Sequence, residues 1–311
     1  MNYLITGGSG FIGSELAKNL AKNKKNKIYI LDLEIKNKVF KKKQNNLKFI
    51  NGDIREKKFF KKLMSIKFET IYHLAAQTSA ELSEKNPLND IQTNLIGTFN
   101  VCKFAKLNKS KKIIFSSSMA VYGNDNYNKS ENSTCNPVSY YGITKLASEN
   151  IIKKLISNKI KYKIFRLFNV YGPGQNLKNM YQGMVSIYLA QALKTKSVEV
   201  KGSLHRRRDC IYIDDVIKIL ISNKCKFNNI YNVGTGLSIS VKKIINQISK
   251  KLNKKINIKK LKSTKGDIFI SQANIKKIEQ TGLKPNIKFD YGIKKMIGYY
   301  NDSMCFNGKK K

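Results

Sequence analysis

Acidic side chains are scarce in this chain of 311 residues: 20 aspartates and glutamates stand against 60 lysines and arginines, a formal charge of +40. Such an imbalance raises nucleic acid as a partner. The basic residues, however, are spread from Lys18 to Lys311 without forming an arm, and asparagine and isoleucine are abundant beside them. That combination reads as a drift towards AT-rich codons, and nucleic acid is not an expected partner. Runs such as Lys41 to Lys43 read as solvated faces. Long apolar runs are missing too. None approaches the roughly 18 residues a membrane helix needs, so no membrane partner is expected. The five cysteines (Cys102, Cys135, Cys210, Cys225, Cys305) contain no C-x-x-C pair. That argues against zinc or a disulfide framework and for a reducing compartment. The opening "MNYLITGG" enters a strand pattern at once and leaves no room for a signal peptide, so cytoplasm is expected.

What remains is a globular composition, 41% apolar, long enough for one large or two modest domains. The first two-thirds alternates short apolar strands with helical stretches. Strands are expected at 3–6, 27–31, 47–50, 70–74, 112–116 and 162–167. Helices are expected from Phe11, near Lys57, over 88–107, and from Tyr140 to about Ser157. Alternating β and α elements with near-continuous apolar strands predict an α/β fold built on a doubly wound parallel sheet. After "NVYGPGQN" (169–176) the order becomes less regular. We therefore expect a nucleotide-binding Rossmann domain over 1–168, with 206–228 packing back on it. A smaller C-terminal α/β substrate-binding domain is expected over 169–311.

"ITGGSGFIGSELA" (5–17) places Gly7, Gly10 and Gly13 between a strand and a helix. Glycine permits a sharp turn there and lets backbone N–H groups approach a pyrophosphate at the positive end of the helix. Asp32 closes the second strand about 20 residues on, where a carboxylate accepts hydrogen bonds from an adenosine ribose and repels a 2′-phosphate. NAD is favoured over NADP. Asp53, ending the third strand, is placed to meet the adenine amino group or to serve as a turn aspartate.

In "SYYGITKLASEN" (139–150), Tyr141 and Lys145 are four apart and share a helix face, whereas Tyr140 points aside. An ammonium beside a phenol lowers a pKa that starts near 10, so Tyr141 is the candidate general base. His73 reads as structural. His205 and its neighbours read as a surface loop, apart from Arg208.

Taken in order, "TGGSGFIGSELA", "HLAAQTS" (73–79), "NLIGTFNV" (94–101), "SSSMAVYG" (116–123), "YGITKLASE" (141–149), "RLFNVYGPGQ" (166–175), "RDCIYIDDV" (208–216) and "YNVGTG" (231–236) resemble the extended short-chain dehydrogenase/reductase family. This is the group of NAD-dependent nucleotide-sugar epimerases and dehydratases, and the resemblance covers nearly the whole length. It implies Tyr141 as catalytic base, Lys145 on the nicotinamide ribose, and Ser118 on the substrate oxygen. It also implies that Phe11, Ile12, Asp32, Asp53, Ile54, Ala75 and Asn94 line the NAD site. Asn169 and Arg208 would hold the diphosphate of a nucleotide-diphosphate sugar. The C-terminal "STKGDIF" (263–269) resembles a family motif containing Asp267, with Thr264 where an arginine is usual and Lys265 beside it.

Dehydratases that this chain resembles carry an acid just after the serine of the fifth strand, and the decarboxylase variant carries a glutamate there. Here Met119 and Ala120 stand in those places, and neither moves protons. The resemblance then implies a 4-epimerase of the UDP-glucose 4-epimerase type, working through a transient 4-keto sugar. Another nucleotide-sugar reductase or epimerase is the alternative, and a dinucleotide-sensing or RNA-binding protein a further one. It also implies a homodimer through helices 88–107 and 141–157, with Ile91, Leu95, Phe99, Cys102, Leu146, Ile152 and Leu155 available for burial. Ser271, where a tyrosine commonly walls off the sugar C2 substituent, and Thr78 imply room for N-acetyl sugars.

Overall fold

Successive side chains of a strand face opposite ways, so a strand that is apolar throughout needs cover on both sides. The middle of β1 (Asn2–Thr6), β2 (Lys27–Asp32), β4 (Thr70–His73) and β5 (Lys112–Ser118) is in that situation, whereas the edge strand β3 (Leu47–Asn51) leaves Lys48 and Asn51 exposed. The computed structural model describes residues 1–34, 45–124, 128–156, 160–263 and 268–307, with side chains up to residue 301. With Lys161–Leu167 and Asn229–Val233 these strands form a seven-stranded parallel sheet. Its order is Asn229–Val233, Lys161–Leu167, β5, β4, β1, β2, β3.

Ile5, Ile28, Ile30, Tyr72, Ile114 and Phe165 pack on one side of the sheet, with Leu16 and Leu20 of helix α1 (Phe11–Ala21) and with the helix Ile213–Ile221. Leu4, Tyr29, Leu31, Ile71, Ile113, Phe115 and Ile164 pack on the other. There they meet Phe60, Val101, Phe104 and Ile152 from helices Lys57–Lys61, Gly97–Asn108 and Tyr140–Leu155. The result is the doubly wound α/β fold. All six expected strands are present. The seventh, Asn229–Val233, follows helix Ile213–Ile221 outside the regular alternation, and pattern alone did not mark it.

The helix expected over 88–107 is three pieces: Pro87–Asp90, a π-helical turn Ile91–Ile96, and Gly97–Asn108. Asn86 caps the first, and Pro87 sits in the first turn, where a missing N–H costs little. The wide turn leaves the Asn94 carbonyl to accept from Thr98 Oγ1 (2.5 Å) and Ser148 Oγ (2.9 Å). Gly97 lets the last piece lie against Ile54, since a Cβ there would stand 2.4 Å from the Ile54 side chain.

Beyond Leu167 the elements are shorter. Strand Arg207–Tyr212 pairs in parallel with Asn169–Tyr171 and Ile270–Ala273, and antiparallel with Ser238–Ser240. The buried Asp209 carboxylate ties this part together, accepting from Thr235 N and Oγ1, Gly236 N and Ala273 N. Among the described residues no helix is long and apolar enough to cross a membrane, and no group of metal-ligating side chains is found.

Candidate active site

The carboxyl ends of parallel strands leave a crevice where the chain turns away into helices. Here that crevice is a cavity of about 1250 Å³. Its walls include Gly7, Gly10, Phe11, Ile12 and Gly13 after β1, Asp32 ending β2, Asp53 and Ile54 after β3, Ala75 after β4, and Ser118 ending β5. Tyr141 and Lys145 reach it from helix Tyr140–Leu155, and Asn169 and Arg208 from the C-terminal part. Thr78 and Met119 line it as well.

The glycine turn is shaped by contact. Gly7 has φ +72°, and a Cβ on it would lie 2.6 Å from Ala75 N. A Cβ on Gly13 would fall on the Gly7 carbonyl. Asp32 Oδ2 accepts from Ser9 N at 2.8 Å, which fixes the acid beside the turn. Ser9 Oγ is buried in this wall without a hydrogen-bond partner. An orphaned hydroxyl, a turn with glycine wherever a Cβ would clash, and an acid at the end of β2 suit a dinucleotide pyrophosphate and ribose. Asp53 is engaged by Arg55, whose Nε donates at 2.7 Å. Burial pushes the Asp53 carboxyl up, but Arg55 outweighs it and holds the group below the usual range.

Ser139 caps helix Tyr140–Leu155 by accepting from Gly142 N at 3.2 Å. That places Tyr141 in the cavity wall, while Tyr140 is 42% exposed. Ser118 lines the same cavity and favours the ionised Tyr141 phenol. The expected lowering of its pKa is not what the protein's own groups produce. Burial pushes the phenol up to about 12, eased by Ser118 and reinforced by the charge of Asp90. Burial likewise pulls Lys145 down to about 7, opposed by Glu149 and Asp90. The ammonium lies 4.2 Å from the centroid of the Phe115 ring.

Two expected site residues stand elsewhere. Asn94 is buried behind the wall rather than in it; its side chain accepts from Gln77 N at 2.9 Å and donates to Gln77 O at 3.1 Å, clamping the loop after β4. Ser271 is fully buried with its hydroxyl 2.9 Å from the Met119 sulfur, so Met119 and not Ser271 faces the cavity. Asp267, Thr264 and Lys265 lie outside the described residues. His73 is fully buried and joins Thr6 Oγ1 (2.8 Å) to Thr98 Oγ1 (2.9 Å). Because Thr98 spends its proton on the Asn94 carbonyl, Nε2 carries the imidazole hydrogen and Nδ1 accepts from Thr6.

Several residues escaped the sequence. Glu149, four after Lys145, forms a buried two-pronged pair with Arg166 (2.9 and 2.8 Å) and accepts from Ser117 Oγ at 2.5 Å. Its i, i+4 spacing from Lys145 was the available signal. Arg206 and Arg207, expected in a surface loop, instead donate to Ser203 O and Ser238, Arg206 buried and Arg207 in a strand, while Arg208, an expected site residue, donates to Arg207 O and Phe269 O. Tyr299 and Tyr300 bring the C-terminal helix to the cavity, and nothing in their local pattern announced it.

Residues 3–234 match the family described as the NAD dependent epimerase/dehydratase family. A Methanocaldococcus jannaschii protein provisionally named a UDP-glucose 4-epimerase is 34% identical over 305 residues, spanning 96% of this chain and 98% of its own. A Thermotoga maritima UDP-glucose 4-epimerase, solved with UDP-glucose, superposes with a TM-score of 0.92 at 28% identity, covering 98% of this chain and all of that one. A Methanobrevibacter ruminantium UDP-N-acetylglucosamine 4-epimerase, solved with UDP-N-acetylmuramic acid, has a TM-score of 0.88 at 30% identity over 97% of this chain and 99% of its own.

Proposed function

Since this chain belongs to the NAD-dependent epimerase/dehydratase family and uses NAD, we propose that it is a nucleotide-sugar 4-epimerase acting on UDP-hexoses. The observation that carries this is local. Ser118, Tyr141 and Lys145 meet in one cavity, and the residues that follow Ser118 in its wall, Met119 and Ala120, offer no acid or base. Water elimination needs such a pair, whereas exchange of hydrogen at one carbon does not.

NAD, when bound, would supply a hydride acceptor and donor and a positive charge that favours the phenolate. Tyr141 takes the proton of the sugar C4 hydroxyl and later returns it, with Ser118 holding the same oxygen. Lys145 would hold the cofactor ribose. Asn169 and Arg208 hold the diphosphate, so the keto sugar can turn while its tether stays fixed. We read residues 1–168 as the cofactor domain, with helix Ile213–Ile221 packed on it and strand Asn229–Val233 completing its sheet, so the expected return segment 206–228 extends to 233, and the rest of 169–311 as the substrate domain. Met119, an unbranched thioether that can re-pack, walls the sugar side with the small Ser271 behind it, which supports acceptance of N-acetylated sugars.

The dimer belongs to the same proposal, with a revised face. Cys102 and Ile152 are fully buried against the sheet, whereas Leu88, Ile91, Ile96, Phe99 and Ile143 are exposed on the two helical segments. Incubation with UDP-, dTDP- and GDP-hexoses, with products resolved by NMR, tests the reaction. Interconversion of a C4 epimer pair without added cofactor is expected; net consumption of reduced cofactor, or a deoxygenated product, would overturn the proposal.

A further inference from the structure

A fully buried carboxylate that the reaction above does not use stands where the π-helical turn begins. Asp90 ends Pro87–Asp90 at 0% exposure. Its Oδ2 accepts from Gln77 Nε2 at 2.6 Å and its Oδ1 from Asn94 Nδ2 at 2.9 Å. Both donors are neutral amides, so these bonds leave its charge unbalanced, an arrangement that costs stability unless a cation compensates. Asn94 extends the link. Its Nδ2 also donates to Thr144 Oγ1 at 3.2 Å, and Thr144 Oγ1 donates to the Tyr141 carbonyl at 3.1 Å. One carboxylate is thus tied to the loop wall at Gln77 and to the turn that carries Tyr141.

Lys145 presents the complementary problem. The residue is 2% exposed and its ammonium rests on the Phe115 ring. Glu149, the acid on the same helix, is already taken by Arg166 and Ser117.

We propose that Asp90 is a positioning residue for the reaction: through Asn94 and Thr144 its carboxylate fixes the turn that carries Tyr141, and its charge adds to that of Glu149 in supporting the Lys145 ammonium. This rests on Tyr141 and Lys145 being the reacting pair. The groups facing the site are Tyr141 and Glu149 on the same helix as Lys145, Arg166 behind Glu149, and neutral His73 on β4. Lys145 and Asp90 each feel the other's charge, and Tyr141 feels that of Asp90. Neutralising Asp90 therefore removes support for the cation and opposition to the phenolate. Both groups should then lose their protons at lower pH.

Competitive labelling of the 311-residue chain with acetic anhydride, read peptide by peptide by mass spectrometry across pH, reports the midpoint of each lysine without needing turnover. In Asp90→Asn the Lys145 midpoint should fall by about one unit while surface lysines stay put, and the alkaline limb of kcat should fall with it. An unmoved midpoint in a folded variant overturns the proposal, because a purely structural role would lower kcat without shifting it. Asp90→Ser removes the charge without adding an amide opposite Gln77 and Asn94, and gives the same reading if the Asn variant does not fold. A shifted midpoint in a protein that epimerises none of the sugars upholds Asp90 and overturns the epimerase. An unshifted one with epimerisation intact overturns Asp90 alone.

Discussion

Tyr140 and Tyr141 are chemically identical neighbours, and their surroundings separate them. Tyr141 shares the cavity with Ser118 and Lys145, while Tyr140 stands at the surface. Tyr141→Phe should reduce kcat by roughly 10³-fold with NAD still bound, and Tyr140→Phe should stay within about threefold. Steady-state kinetics on both variants decides it, and the reverse order would show the wrong tyrosine has been chosen. Ser271→Tyr has no free space to fill, so the new ring should drive Met119 into the cavity. Selective loss of kcat/KM for N-acetylated over plain hexoses is the expected reading, and equal loss for both would count against Met119 as the wall. His73 gives a pH prediction. Burial holds its imidazole down to about 3, against about 6.5 in the unfolded chain. Between those values only the unfolded state gains the proton, so stability is full above pH 6.5 and falls as the solution is acidified. The loss should reach about 2 kcal/mol by pH 5. Urea midpoints at pH 7 and 5 test it, and the difference should shrink in His73→Asn.

Elements show what a single sequence reveals and what it hides. The six strands and helix Tyr140–Leu155 were legible because an apolar strand and a 3.6-residue period are local properties. The pieces at Pro87–Asn108 were not, since the π turn depends on Ser148 and Gln77 bonding to Asn94 from far along the chain. The glycine turn, Asp32, Ser118, Tyr141 and Lys145 were readable because motif spacing reflects their chemistry. Asn94 and Ser271 were placed one layer too far forward, because spacing does not tell a wall from the residue bracing it. Glu149 was passed over for the same reason. Replacing it by glutamine leaves the Arg166 guanidinium, 3% exposed, without its counter-charge. Glu149→Gln should cost about 3 kcal/mol, read as a fall in Tm, with Lys145 function impaired beyond that loss.

At the scale of the whole molecule, the exposed apolar face on Leu88, Ile96, Phe99 and Ile143 should bring two copies together. Sedimentation at micromolar concentration should show a dimer, and Phe99→Glu with Ile143→Glu a monomer; a parent that sediments as a monomer would end this view. The charge of the molecule carries a different message. Five of its 60 basic residues are arginines, at 55, 166 and 206 to 208, and every one donates hydrogen bonds to a partner within the protein. Lysine delivers the same charge as a point, but not the planar fork that Asp53, Glu149 and Ser238 engage. In a saturation library the lysines should therefore form a broad plain of tolerance, the buried Lys129, Lys145 and Lys163 aside, and the arginines isolated peaks at which even lysine is refused.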